Sequence, residues 1–297
     1  MSIVSQVQLG KPSLRQQLKE AAVPSALIFP AAFLLVAFFL APTVVVLDYS
    51  LLSNMPFVDP HPHYTLANYA RVLTEPIYVN AFIRTALYAL VATSISLVIS
   101  YPVAYYLARK SARGGLILLV LLIPFWTSIV LRVFSWKIIL GPSGMLNSAL
   151  LGAGIIQEPI SFLYSPAGVL FGLVYSYTPY LILPLYGVLG KVPQALLEAS
   201  EDLGANKLQT LLRITLPLTS SGTISAVLLV LLACFGDVLS SNLLGGPNTL
   251  MVSTVIFETF FGGANWTVGS ALSVVVFVIL LVVAALLSLM GKEVEYA

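Results

Sequence analysis

Cysteine is nearly absent from this chain of 297 residues: Cys234 stands alone in an apolar run, which excludes an intrachain disulfide and any paired-thiol chemistry. Histidine is almost as scarce. His61 and His63 form a single H-P-H beside Asp59, short of the four ligands of a structural metal site, so no metal is expected. Charged residues make up only 9% of the chain, against roughly 25% in soluble domains, which excludes a soluble globular protein. The net charge of +2, with no basic patch interleaved with aromatics, excludes a nucleic-acid partner. There is no H-E-x-x-H and no nucleophile paired with a base. A phosphate loop is missing too, because Gly187, Gly190 and Lys191 run on into Val192 instead of a Ser or Thr. No catalytic residue is therefore expected. Nor is there an internal repeat, so the chain reads as one domain instead of two inverted halves.

What is present is apolar sequence, 59% of the chain, in stretches long enough to cross a bilayer. Residues 1–22 are polar and carry Lys11, Arg15 and Lys19 ahead of a run from about Val23 to Leu47. That run is too long for a cleavable signal core and reads as a first, uncleaved span. A loop over 48–80 follows, with a surface helix expected at TLANYARVL. Further spans are expected at about Ala81–Leu107, from after Gly114-Gly115 to about Leu140, Pro166–Gly190 with Ser165 as cap, Leu218–Leu239 and Trp266–Met290. Thr249 to Phe261 is too short to cross and reads as an interfacial or re-entrant helix. The fold class expected is all-α, a polytopic membrane protein of six transmembrane helices in one domain over 23–291, with a tail at 292–297.

Basic residues orient it. Lys11, Arg15, Lys19, Arg109, Lys110, Arg113, Lys191, Lys207, Arg213 and Lys292 fall on one side, against Arg71 and Arg84 on the other. That bias places both termini and the 191–217 loop in the cytoplasm.

The polar residues within spans are few. Asp237, near the outer end of span five, is an ionisable group at membrane depth and hence a functional candidate, set against snorkelling to the interface. Arg132 and Lys137 lie toward the outer end of span three. Arg132 is the deeper, placed to pair with a carboxylate of this chain or a partner, or to meet a substrate anion. Trp126, Trp136, Tyr175, Tyr177 and Tyr180 offer aromatic faces able to hold an organic cation, or form an interfacial belt.

The longest polar interruption is 193–217, VPQALLEASEDLGANKLQTLLRITLP from Val192 onward. If Pro193 opens a helix, Leu196, Ala199 and Leu203 share one face while Glu198, Glu201 and Asp202 share another. Gly204 then ends it, and Asn206 caps a second helix bearing Leu208, Leu211 and Leu212. Glu198, Ala199, Ser200, three residues, Gly204, nine residues, then Ile214, Thr215, Leu216 and Pro217 resemble the EAA loop of ABC-importer permeases, departing only at Ser200, where the family has a second alanine. PFWTS at Pro124 to Ser128 with Arg132 and Trp136, YTPYLILPLYG at Tyr177 to Gly187, EASEDLGA at Glu198 to Ala205, FGD at Phe235 to Asp237 and LLGG ending at Gly246 resemble the spermidine/putrescine type of that family. This likeness runs from about Leu66 to the end of the last span.

The resemblance implies a bacterial inner-membrane subunit whose residues Glu198, Ala199, Ser200, Asp202, Gly204, Ile214 and Pro217 couple it to a separate ATPase dimer. ATP and Mg would be bound there, with no cofactor in this chain. It further implies a second permease subunit, an extracytoplasmic solute-binding protein, and a substrate path through Asp237, Trp126, Arg132, Tyr175 and Tyr177. The alternative from another class is an ion-coupled secondary transporter acting without an ATPase, for which the chain offers Asp237 alone.

Overall fold

Prolines decide where the helices of this chain start, widen and break. The structure is a computed structural model that describes residues 29–55 and 58–295; the expected N-terminal segment and the first residues of span one lie outside them. Helix α1, Phe29–Leu51, runs past the expected end at Leu47. Its Pro42 has no N–H to give, and a wide π turn at Val36–Leu40 precedes it, with the Ala41 N–H reaching back to the Val36 carbonyl. The loop that follows holds the short surface helix α2, Ala67–Thr74, where TLANYARVL predicts one.

Helix α3, Pro76–Arg109, is 34 residues long and begins five residues before the expected Ala81. Pro76 sits in its first turn, where a missing N–H costs nothing. At about 1.5 Å per residue it is roughly 50 Å long, well beyond the roughly 30 Å hydrocarbon layer, so its ends project into the headgroups.

The expected third span is not one helix. Gly114–Trp126 (α4) and Ile129–Ile139 (α5) meet at an angle of 81°. The sequence reason is PFWTS: Pro124 withholds a backbone donor, Thr127 and Ser128 are extended, and the Thr127 hydroxyl takes up the Pro124 carbonyl at 2.7 Å. A short helix α6, Met145–Gly152, fills the next loop. Asn147, fully buried, stitches it down by donating to the Gly141 and Ile160 carbonyls and accepting from the Ile160 N–H.

Helix α7, Pro166–Gly190, starts as expected, with Ser165 Oγ accepting from the Gly168 N–H at 3.2 Å. Helix α8, Gln194–Asp202, is followed by α9, Lys207–Phe235. The second loop helix is thus no separate element; it is the base of span five. The device that keeps α9 continuous is the one seen in α1. A π turn at Leu211–Thr215 precedes Pro217, and the Leu216 N–H reaches the Leu211 carbonyl. At the other end α9 stops at Phe235, before the expected Leu239, and α10, Leu239–Leu244, turns off it. Helix α11, Val252–Phe261, is the short apolar piece expected there, and α12 runs Trp266–Glu295.

Among the described residues five helices are long and apolar enough to cross a membrane, and α4 with α5 makes a sixth only as a bent span. The fold is all-α. Its centre is α3 against α7, where Ala89 and Ala92 share a buried cluster with Val169, Leu173 and Leu181, and Ser96 and Ser100 hydrogen-bond Thr178; small residues on α3 let two backbones come close where lipid offers no hydrophobic drive. Helix α9 joins this core through Ala226, Val230 and Cys234. A second cluster, Val72, Ala81, Val252, Val268 and Leu272, ties α2 and α11 to α3 and α12.

Candidate functional site

At one end of the bundle α8 forms a projecting turn. Gly204 has φ +81°, the left-handed conformation that ends α8 at low cost for glycine alone. Asn206 and Gln209 form a reciprocal capping box at the start of α9, each side chain taking the other's backbone N–H at 2.9 Å. Leu197 and Ser200 face the bundle and are buried. Leu196, Ala199 and Leu203 share a neighbouring face and are exposed, Leu203 at 89%. Glu198, Glu201 and Asp202 are exposed, as are Gly204 and Pro217, and Ile214 is half-buried. A naked apolar stripe with acidic flanks leaves α8 a surface short of a partner.

Ser200 does more than fill space. Its hydroxyl donates to the Leu197 carbonyl at 2.7 Å and shares a 2.9 Å hydrogen bond with Thr210. From there hydroxyls climb α9. Thr215 Oγ1 lies 3.5 Å from the Thr210 carbonyl, Thr219 donates to the Thr215 carbonyl at 2.7 Å, and Thr219 meets Tyr101 of α3 at 3.0 Å. Next to Tyr101, Ser100 donates to the Thr178 carbonyl of α7 at 3.0 Å.

One helical residue before Thr178, Tyr177 donates its hydroxyl to Asp237 Oδ2 at 3.0 Å. Asp237 lies just beyond α9, is only 4% exposed, and takes the Ser240 N–H on Oδ1 at 2.6 Å. Its backbone carbonyl accepts from Ser253 of α11 at 2.5 Å. The carboxylate is therefore held by α7 and the start of α10, and its backbone by α11.

Arg132, Trp126 and Tyr175 fall elsewhere. Tyr175 points away from Tyr177, as residues two apart on a helix must. It packs on Trp136 and Phe125, with ring centroids 5.3 and 5.8 Å apart. Arg132 stacks its guanidinium 4.6 Å over the Phe125 ring. Its Nε and Nη1 are buried without a hydrogen-bond partner, and no carboxylate of this chain pairs with it among the described residues. Trp126, at the break between α4 and α5, is 83% exposed and belongs to neither group. The expected path residues thus form a Tyr177–Asp237 pair, an Arg132–Phe125–Tyr175–Trp136 cluster and a free indole.

No protein-family model matches the chain. It is 38% identical over 266 residues to the spermidine/putrescine transport system permease protein PotB of Escherichia coli, an alignment covering 88% of this chain and 96% of that one. The chain belongs to the spermidine/putrescine-type permeases of ABC importers. The PotB protein of Haemophilus influenzae is likewise 38% identical, over 81% of this chain and 84% of that one. More remote is the trehalose/maltose permease MalF of Thermococcus litoralis, 26% identical over 89% and 91% of the two chains. Among solved structures, a bacterial ABC transporter importing alginate matches with a TM-score of 0.70, covering 95% of this chain and 99% of that one at 19% identity. A chain of the MetNI methionine transporter matches at 0.56, covering 74% and 99% at 17% identity. These structural likenesses concern the fold.

In this permease the residues that sequence reasoning missed are Thr210, Thr215, Thr219 and Tyr101, together with Phe125 and Phe171 around Tyr175. The threonines carried a signal, since hydroxyls spaced four and five apart along an apolar helix lie on one face. The ring cluster carried none, because its members come from α4, α5 and α7 and meet only after the third span has bent.

Proposed function

We propose that this permease supplies half of the translocation path of an ATP-driven importer for a polyamine or related small amine in the bacterial inner membrane. A second permease supplies the other half. A dimer of ATPase subunits, holding ATP and Mg, docks on the turn at 191–217, and an extracytoplasmic solute-binding protein delivers substrate at the opposite end. Both termini and that turn face the cytoplasm.

The observation that carries the reading is α8 itself. Its exposed stripe of Leu196, Ala199 and Leu203 is what a helix docking in another protein's groove presents. Its inner face is tied through Ser200 and Thr210 to a membrane-spanning helix. A push on the turn is thereby a push on α9. The substrate class rests on the names of the PotB relatives and on the chemistry of a buried carboxylate and aromatic rings, which together favour a cationic amine.

The test is reconstitution in proteoliposomes with an ATPase dimer, a second permease and a solute-binding protein of a spermidine/putrescine system. ATP-dependent uptake of labelled putrescine or spermidine that survives collapse of ion gradients is expected. Uptake by this chain alone, driven by an ion gradient, would instead identify a secondary carrier.

A further inference from the structure

A cleft of about 340 Å³ opens between the end of α3 and the turn formed by α8 and the base of α9. Three cations line it, Arg109 and Lys110 from α3 and Lys207 from α9, against the single carboxylate of Glu201. None of these cations is in an ion pair among the described residues. Arg109 is anchored, because one guanidinium nitrogen donates to the Val192 carbonyl ahead of α8. Its Nε is nevertheless buried without any acceptor. Lys207 stands in the first turn of a helix of 29 residues.

We infer that this cleft binds a phosphate group. Nothing in the coupling reading requires it, and α8 contributes Gln194, Leu197 and Glu201 to its lining but not Leu203. The lining matches a phosphate ester with an apolar tail. Arg109, Lys110 and Lys207 supply the cationic groups, and Leu197, Leu208 and Leu211 the apolar ones. The level matches as well, since α3 outruns the hydrocarbon layer and its last turn, with Arg109, stands among headgroups. Basic pockets between membrane helices hold the headgroups of anionic lipids, each Lys or Arg contributing about tenfold or somewhat less in affinity. A bound headgroup would strap α3 to the α8 turn and stiffen it.

The test is native mass spectrometry on the full-length chain, titrated separately with phosphatidylglycerol and phosphatidylcholine, alongside thermal unfolding with and without inorganic phosphate. Preferential retention of phosphatidylglycerol is expected, falling by about tenfold or more in Lys110→Gln/Lys207→Gln, which leaves the Arg109 anchor intact. Lys191→Gln/Arg213→Gln, basic residues of the same end that do not line the cleft, should retain the lipid as the unaltered chain does. If the lipid arm is flat but inorganic phosphate raises the melting temperature only when Lys110 and Lys207 are present, the site stands and its occupant is a soluble phosphate. If neither probe distinguishes the cleft variant from the unaltered chain, or both double variants lose binding equally, the inference is overturned.

Discussion

Ser200 Oγ and Thr210 Oγ1 lie 2.9 Å apart, both buried, and join the inner face of α8 to the base of α9. The position where the family has alanine is thus, in this chain, a hydrogen-bonded clamp across the Gly204 turn. A buried hydroxyl pair of this kind contributes on the order of 1 kcal/mol, and losing one partner strands the other. Ser200→Ala and Thr210→Val are each expected to lower the melting temperature modestly. The double variant should fall well short of the sum, and a thermal-unfolding double-mutant cycle measures that shortfall.

Gly204 is held at φ +81°, where a side chain costs roughly 1–2 kcal/mol. Gly204→Pro, locked at negative φ, cannot form the turn at all. It is expected to abolish ATP-driven uptake while membrane yield stays near normal, since the turn stands apart from the core of α3, α7 and α9. Glu198→Lys, which reverses charge on the exposed acidic flank, should uncouple transport in the same way. Normal uptake by both variants would contradict the docking role of α8.

The Tyr177–Asp237 bond predicts a division of effects. Tyr177→Phe removes one of two hydrogen bonds reaching the carboxylate oxygens and should cost about 1.5–3 kcal/mol, seen as a lower melting temperature. Asp237→Asn keeps the shape and removes the charge. It is expected to depress amine uptake severalfold in proteoliposomes, with the complex still assembling and hydrolysing ATP.

Gly222 faces Val188 so closely that an added Cβ would stand 2.5 Å from its Cγ2. Gly222→Val should therefore force α9 and α7 apart, at about 1–3 kcal/mol, and lower both folded yield and melting temperature. Gly187→Ala, where nothing lies within 4 Å, is the matched control and should be nearly silent.

Asn147 carries three hydrogen bonds that hold α6 to the loop on either side. Asn147→Ala should release that loop, and hydrogen exchange of the Ile160 amide reports it. Faster exchange confined to the 141–164 segment is the expected result.

Much of the fold was legible because local chemistry dictates helix ends. Ser165 before Pro166, Gly204 after α8 and Asn206 before α9 all act through backbone groups within a few residues, so they do the same thing in any context. Boundaries inside apolar sequence were less legible. Nothing between Lys207 and Leu218 forbids continuing a helix once a π turn accommodates Pro217, and Pro124, though it withholds a donor, does not by itself separate a kinked third span from one bent by 81° at Thr127 and Ser128.

The amino-acid order alone determined that this is a membrane protein with a single long polar turn, because apolar run length and capping are local properties. It also placed Ser200 where the family has alanine. Only the tertiary structure decided what that serine touches, since Thr210 reaches it across a turn. Only packing separated Tyr177 from Tyr175, giving one to Asp237 and the other to Phe125 and Trp136. Residues adjacent in sequence part company because a helix sends neighbours two apart to different faces. What each face meets is set by segments some forty to sixty residues away.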